Sequence, residues 1–222
     1  MDESQYTPSD SLNAVGSAGA IADVQDETQH DIQDACDALA ALILSRCADA
    51  GLKIAAAESL TGGLLADAFV RIPGASAVFL GSAVTYDIRA KRSILGVDGT
   101  LLEREGAVHP DVARAMASGT ARLYTQDGDD GTVIGLSTTG VAGPGPDGDK
   151  PAGLVYIGIA MPTGRPVDGG TQSDDAHPGE CAPRRTGIDA KALELHLHGT
   201  REEVRRLTVL RMLEALASQL GA

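Results

Sequence analysis

The sequence predicts a three-layer α/β/α domain built on an open, mostly parallel or mixed sheet. Strand-like runs alternate with stretches of helical period in the order βαβα over residues 52–95. The strand-like runs are almost continuously apolar, as expected of a sheet covered by helices on both faces. A chain of 222 residues that is 43% hydrophobic can bury one good core, made of Ala, Val, Leu and Ile because aromatics are 3% and Trp is absent.

Residues 1–28 mix Ser, Asp, Gln, Gly and Ala without sustained period and are expected to be a disordered acidic tail ahead of a domain at 29–222. Ile32, Cys36, Leu39, Leu42, Ile43 and Cys47 then recur at helical spacing, and Gly51 is a natural stop. Cys36 and Cys47 are eleven residues apart, about three turns, so both face one way and are expected to be buried. A strand follows at 52–58, a helix at 60–72, a strand at 77–86 and a short helix at 88–95.

After a polar connection, 110–124 has helical spacing through Val112, Ala113, Met116 and Leu123, with Pro110 in the first turn where its missing N–H costs nothing. Strands are expected at 132–139 and 153–161, separated by a loop rich in Gly and Pro. The polar span 164–190 is expected to be a flexible insertion without chemistry. Residues 191–198 alternate cleanly, with Leu193, Leu195 and Leu197 opposite Glu194, His196 and His198, which predicts a half-exposed edge strand. Thr200 and Glu203 form a capping box that opens the last helix, and Val204, Leu207, Leu210, Met212, Leu213 and Leu216 give it an apolar stripe.

The formal charge is −13, and nine acids precede the first Lys or Arg, Arg46, a field that disfavours nucleic acid. Three cysteines (Cys36, Cys47, Cys181) without C-x-x-C spacing fit a reducing compartment, and a cytoplasmic location is expected. No apolar run approaches the ~20 residues of a membrane span. The oligomeric state is left open, with a homo-oligomer allowed.

Chemistry concentrates where strands end. Ser59 stands at a strand-to-helix break and by itself fits a helix cap as well as a nucleophile. The following Thr61, Gly62 and Gly63 offer backbone N–H groups that could hold a phosphate or an oxyanion. A serine alcohol needs a base, and no histidine is well placed for that role. His196 and His198 lack a third ligand, so neither a metal nor a cofactor is expected. Lys91 can be that base if burial lowers its pKa from about 10.4, and Tyr86 at the same strand exit can relay the proton or orient the lysine. Gly140, Ala142 and Gly143 form a further glycine-rich strand exit without the Gly-Lys-Ser/Thr ending of a P-loop, so ATP chemistry is disfavoured. Arg201 and Arg205, one turn apart, could grip a phosphate or be a solvated basic face.

The segments Ala57-Glu-Ser-Leu-Thr-Gly-Gly63, Val84-Thr-Tyr-Asp-Ile-Arg-Ala-Lys91, Gly106-Ala-Val108, Gly140-Val-Ala-Gly-Pro144, Lys150-Pro-Ala-Gly153 and Gly199-Thr-Arg-Glu-Glu-Val-Arg205 together resemble the CinA C-terminal domain family, in order and spacing. The resemblance spans roughly residues 33–220 apart from the insertion. It implies a nicotinamide-nucleotide amidohydrolase that converts nicotinamide mononucleotide and water to nicotinate mononucleotide and ammonia in pyridine-nucleotide salvage. The family's serine, tyrosine and lysine fall on Ser59, Tyr86 and Lys91, with a small-molecule nucleotide as partner. Thr200 departs from the aspartate that the family commonly has before Arg201, and the insertion is longer than usual.

Overall fold

The computed structural model describes residues 13–163 and 187–221, with side chains from residue 30 onward. In chain order the elements are α1 (Asn13–Ala50), β1 (Lys53–Glu58), α2 (Leu64–Val70), β2 (Phe79–Val84), α3 (Ile88–Leu95) and α4 (Gly99–Glu105). They continue with α5 (Pro110–Tyr124), β3 (Val133–Gly140), β4 (Leu154–Thr163), β5 (Gly187–His196) and α6 (Arg201–Gln219). The strands form one mixed sheet in the order β2-β1-β3-β4-β5. β1 pairs in parallel with β2 and β3, while β3–β4 and β4–β5 are antiparallel.

Strand alternation sends neighbouring residues of β1 to opposite layers. Ile54 and Ala56 join Ile134, Leu136, Cys36, Ile43, Met212 and Leu213 in the core between the sheet and α1, α2 and α6. Ala57 packs with Leu95, Val112 and Met116, and Ala55 with Ala121, on the face covered by α5, against which α3 leans. The small residues of β1 therefore serve both layers, which is why its sequence shows no polar face. Cys36 and Cys47 are buried in the first layer, and burial pushes both thiols up to about 11.

Helix α1 starts at Asn13, well upstream of Ile32, so the expected tail is helical over 13–28; residues 1–12 lie outside the described residues. The alanines at 14, 18, 20 and 22 favour a helix without supplying the apolar stripe that a periodicity reading detects. The polar connection after α3 holds a further helix, α4, started by Asp98, whose carboxylate accepts from the N–H groups of Thr100 and Leu101. Pro110 opens α5 as expected, with the His109 ring as its cap: Nδ1 accepts from Asp111 N–H at 3.2 Å. Thr200 and Glu203 form the full capping box of α6.

β5 is an edge strand, opposite the other edge at β2, and begins at Gly187 rather than Lys191; residues 164–186 of the expected insertion, including His177 and Cys181, lie outside the described residues. Leu195 and Leu197 pack onto the first core, while Leu193 stays 39% exposed. Among the described residues no helix is long and apolar enough to cross a membrane.

Candidate active site

The connection from β1 leads to β2 on one side of it, and the chain then returns to form β3 on the other side. Such a reversal leaves a crevice outside the carboxyl ends of the strands, and Ser59 is the first residue beyond β1 there. Gly62 and Gly63, at φ 56° and 105°, let the chain turn into α2 in a conformation that side chains disfavour. The turn is fixed from three sides. Ser59 N–H donates to the Thr138 carbonyl of β3 at 3.0 Å. Arg205 of α6 donates from Nε to the Leu60 carbonyl at 2.9 Å and from Nη2 to the Thr61 carbonyl at 2.8 Å. Glu58, fully buried, accepts from the Thr61 hydroxyl and from the N–H groups of Gly63, Leu65 and Ala66.

That last contact corrects an expectation. The N–H of Gly63 and those of the first turn of α2 are not free for a phosphate or an oxyanion, because a carboxylate of the chain already occupies the helix start. Thr61 is likewise buried, with its hydroxyl against Glu58 and Thr138. Neither Thr61, Gly62, Gly63 nor Arg205 lines the cavity above Ser59, and Arg205 instead pins the turn.

Lys91 lies in the first turn of α3, a helix capped by Asp87, whose carboxylate accepts from Arg89 N–H at 2.7 Å. The Arg89 side chain also hydrogen-bonds this carboxylate, and together these contacts hold its pKa down to about 2. The cap aims Lys91 inward, where it is fully buried, and Nζ donates to Ser59 Oγ at 2.9 Å and to the Thr85 carbonyl at 2.5 Å. Burial pushes the amine down to about 8, with Asp87 opposing the shift. Among the described residues no carboxylate forms an ion pair with it. When neutral, the amine keeps its bond to Thr85 and turns its lone pair to the serine hydroxyl, which then donates. The Thr85 hydroxyl is buried without a partner among the described residues.

A cavity of about 410 Å³ opens above Ser59. Gly140, Ala142 and Gly143 form one wall, with Asp147 beyond them and Tyr86 and Arg201 at the rim. Gly143 has φ 89°, which disfavours a side chain, and Gly140 packs so closely on β4 that a Cβ would stand 2.7 Å from the Leu154 carbonyl. Arg201 Nη1 donates to the Gly143 carbonyl at 2.8 Å and Nη2 to the Tyr86 hydroxyl at 3.2 Å, clasping two strand exits. Tyr86 is 64% exposed, and its hydroxyl makes no hydrogen bond to Ser59 or Lys91 among the described residues. The proton relay through Tyr86 is therefore not formed in this geometry; the tyrosine belongs to the cavity rim. Glu58 is a residue of the site that the sequence did not single out: an acid at a strand end is ordinarily solvated, and here it is fully buried.

These features define a class: a three-layer α/β domain with a buried serine–lysine pair beneath a glycine-walled cavity at the switch point of its sheet. Residues 36–177 match the CinA C-terminal domain model, and the chain belongs to that family. It is 43% identical over 160 residues to a CinA-like protein of Frankia casuarinae, covering 72% of this chain and 34% of that protein. It is 39% identical over 173 residues to a putative competence-damage inducible protein of Clostridium novyi, covering 78% of this chain and again 34% of the relative. The chain thus spans about a third of the length of these curated relatives. Among solved structures, the competence/damage inducible protein CihA from Agrobacterium tumefaciens superposes with a TM-score of 0.66 at 30% identity, covering 85% of this chain and 96% of that one.

Proposed function

We propose that this chain is a nicotinamide-nucleotide amidohydrolase, turning nicotinamide mononucleotide and water into nicotinate mononucleotide and ammonia. The observation that carries the reading is the 2.9 Å contact between Ser59 Oγ and the buried Nζ of Lys91. Neutral Lys91 takes the hydroxyl proton as Oγ attacks the carboxamide carbon. The ammonium then gives that proton to the amide nitrogen, the C–N bond breaks, ammonia leaves and an acyl ester remains on Ser59. Lys91 next takes a proton from water as its oxygen attacks the ester. The C–Oγ bond breaks, the proton returns to Ser59, and the acid is released. No cofactor enters the balance.

The substrate class rests on the family resemblance and on the fit of the cavity. Its volume suits a small ligand. Arg201 at the rim is a guanidinium matched to a phosphate, and Gly140, Ala142 and Gly143 let a ligand approach main chain. Tyr86 is assigned to the substrate side of the same rim. The test is ammonia release from nicotinamide mononucleotide by the wild type, Ser59→Ala and Lys91→Ala, with activity expected in the wild type alone. Unchanged turnover in either variant removes the assigned roles. Tight binding without turnover in the wild type replaces the reading with a silent nucleotide-binding module, and turnover of a different small amide in its place would leave a serine–lysine amidase.

A further inference from the structure

Glu58 is fully buried at the end of β1 and meets no cation within ion-pair distance among the described residues. Five donors surround its carboxylate instead. Oε2 accepts from Thr61 Oγ1 at 2.8 Å, Gly63 N–H at 2.9 Å and Leu65 N–H at 3.0 Å. Oε1 accepts from Ala66 N–H at 3.0 Å and Ser82 Oγ at 2.8 Å. The Ser82 bond crosses from β1 to β2, and the main-chain carbonyl of Glu58 makes a second crossing by accepting Thr85 N–H at 2.8 Å.

These contacts close a ring around the serine. Glu58 is bonded covalently to Ser59, Ser59 Oγ accepts from Lys91 Nζ, Nζ donates to the Thr85 carbonyl, and Thr85 N–H returns to the Glu58 carbonyl. Ser59 rides on β1 and Lys91 is held at the exit of β2, so the Nζ–Oγ distance depends on how these strand exits sit against each other. We propose that Glu58 is the positioning residue of this pair: its carboxylate shapes the turn that presents Ser59 and, through Ser82, locks the β1 exit to the β2 exit. The proposal rests on the reading of Ser59 as nucleophile and Lys91 as base. Glutamine cannot replace this carboxylate, since its amide N–H₂ would face donors and leave them unpaired in the interior. Removing the Ser82 hydroxyl loosens only the side-chain strut between strands and leaves the other four donors in place.

A fluorophosphonate probe tests this without any assumption about the natural substrate. Oγ attacks phosphorus, fluoride leaves and the hydroxyl proton passes to Lys91, so the labelling rate constant reads the geometry of the pair, while the final stoichiometry counts folded sites. With label located by mass spectrometry, Ser82→Ala is expected to reach wild-type stoichiometry at a rate constant lowered roughly fivefold. Glu58→Gln should be slowed on the order of 100-fold, the scale of an ångström-sized misplacement, with the conservative Ser82→Thr restoring most of the rate lost in Ser82→Ala. If Glu58→Gln does not fold, the Ser82 variants decide. Wild-type rate constants in Ser82→Ala, or a loss of stoichiometry with no change of rate, overturn the proposal. Failure of wild-type Ser59 to label overturns the nucleophile reading with it, whereas normal labelling without ammonia release strikes only the substrate assignment.

Discussion

Lys91 holds a proton less tightly in the folded protein than in the unfolded chain, because burial lowers it from 10.5 to about 8. Two consequences share that cause. Activity that needs the neutral amine rises with pH through about 8. Stability rises in the same direction: below the folded value both states are protonated and the buried charge weighs fully against folding. Between about 8 and 10.5 only the unfolded chain keeps its proton, and the penalty is progressively relieved. Lys91→Met is therefore expected to raise the thermal midpoint near pH 7 by removing a buried charge worth on the order of 1–3 kcal/mol. The gain should shrink as pH approaches 10.5, where the wild-type amine is neutral in both states. Melting curves of both proteins across this range check it; a gain that does not change with pH would mean that Lys91 binds its proton equally in the folded and unfolded states, so that burial does not lower its pKa. At this scale the sequence was partly legible. Ser59 and Lys91 could be found because a serine at a strand-to-helix break needs a base. Glu58 was hidden because an acid beside a turn looks solvated until the backbone N–H groups of α2 close on it.

Among the elements, α5 packs more tightly against the sheet and α3 than any motif suggested. It lies so close to the sheet that a Cβ on Gly135 of β3 would stand 2.0 Å from the Ala117 carbonyl, and one on Gly158 of β4 2.5 Å from the Ala113 carbonyl. On its other side, a Cβ on Gly119 would meet the Leu95 carbonyl at 2.1 Å, at the end of α3 one turn beyond Lys91. Main chain cannot swing aside as a side chain can, so each contact fixes the separation of whole elements. Gly119→Ala and Gly135→Ala should each destabilise the fold by about 1–3 kcal/mol in chemical denaturation. Only Gly119→Ala should also slow probe labelling of Ser59, because it displaces the helix that carries the base. Equal effects of the two on labelling would show that α5 acts on the site only through overall stability. Strong local signals made most elements readable: the helical period and Pro110 for α5, the capping box for α6, the apolar run for β1. α4 escaped notice because its start rests on the Asp98 cap rather than on an apolar stripe, and glycines at 119, 135 and 158 carry no sequence mark of the backbones pressed against them.

For the whole molecule, the alternation of strand and helix implied the layers but not the order of strands. The step from β3 to β4 shows why: residues 141–153 contain no helix to carry a parallel crossover, so the chain folds back antiparallel and its loop becomes a wall of the cavity. The cavity is consequently assembled from stretches far apart in sequence, at Ser59, Tyr86, residues 139–147 and Arg201, and exists only when the sheet and α6 are in place. A ligand of this cavity binds the folded state alone and must stabilise it by mass action. Nicotinate mononucleotide, the product of the proposed reaction, is chosen because it cannot be deamidated during the measurement. At about 100 times its Kd it should add roughly 2.7 kcal/mol, a rise in thermal midpoint of roughly 5–10 °C for a chain of this size. Arg201→Ala should lose most of that rise at the same ligand concentration, since it removes both the rim cation and the clasp between Gly143 and Tyr86. Nicotinic acid lacks the phosphate that Arg201 is matched to and should give a small shift in both proteins. A rise that survives intact in Arg201→Ala would move the phosphate away from α6 and leave the cavity, though still above Ser59, without its assigned anchor.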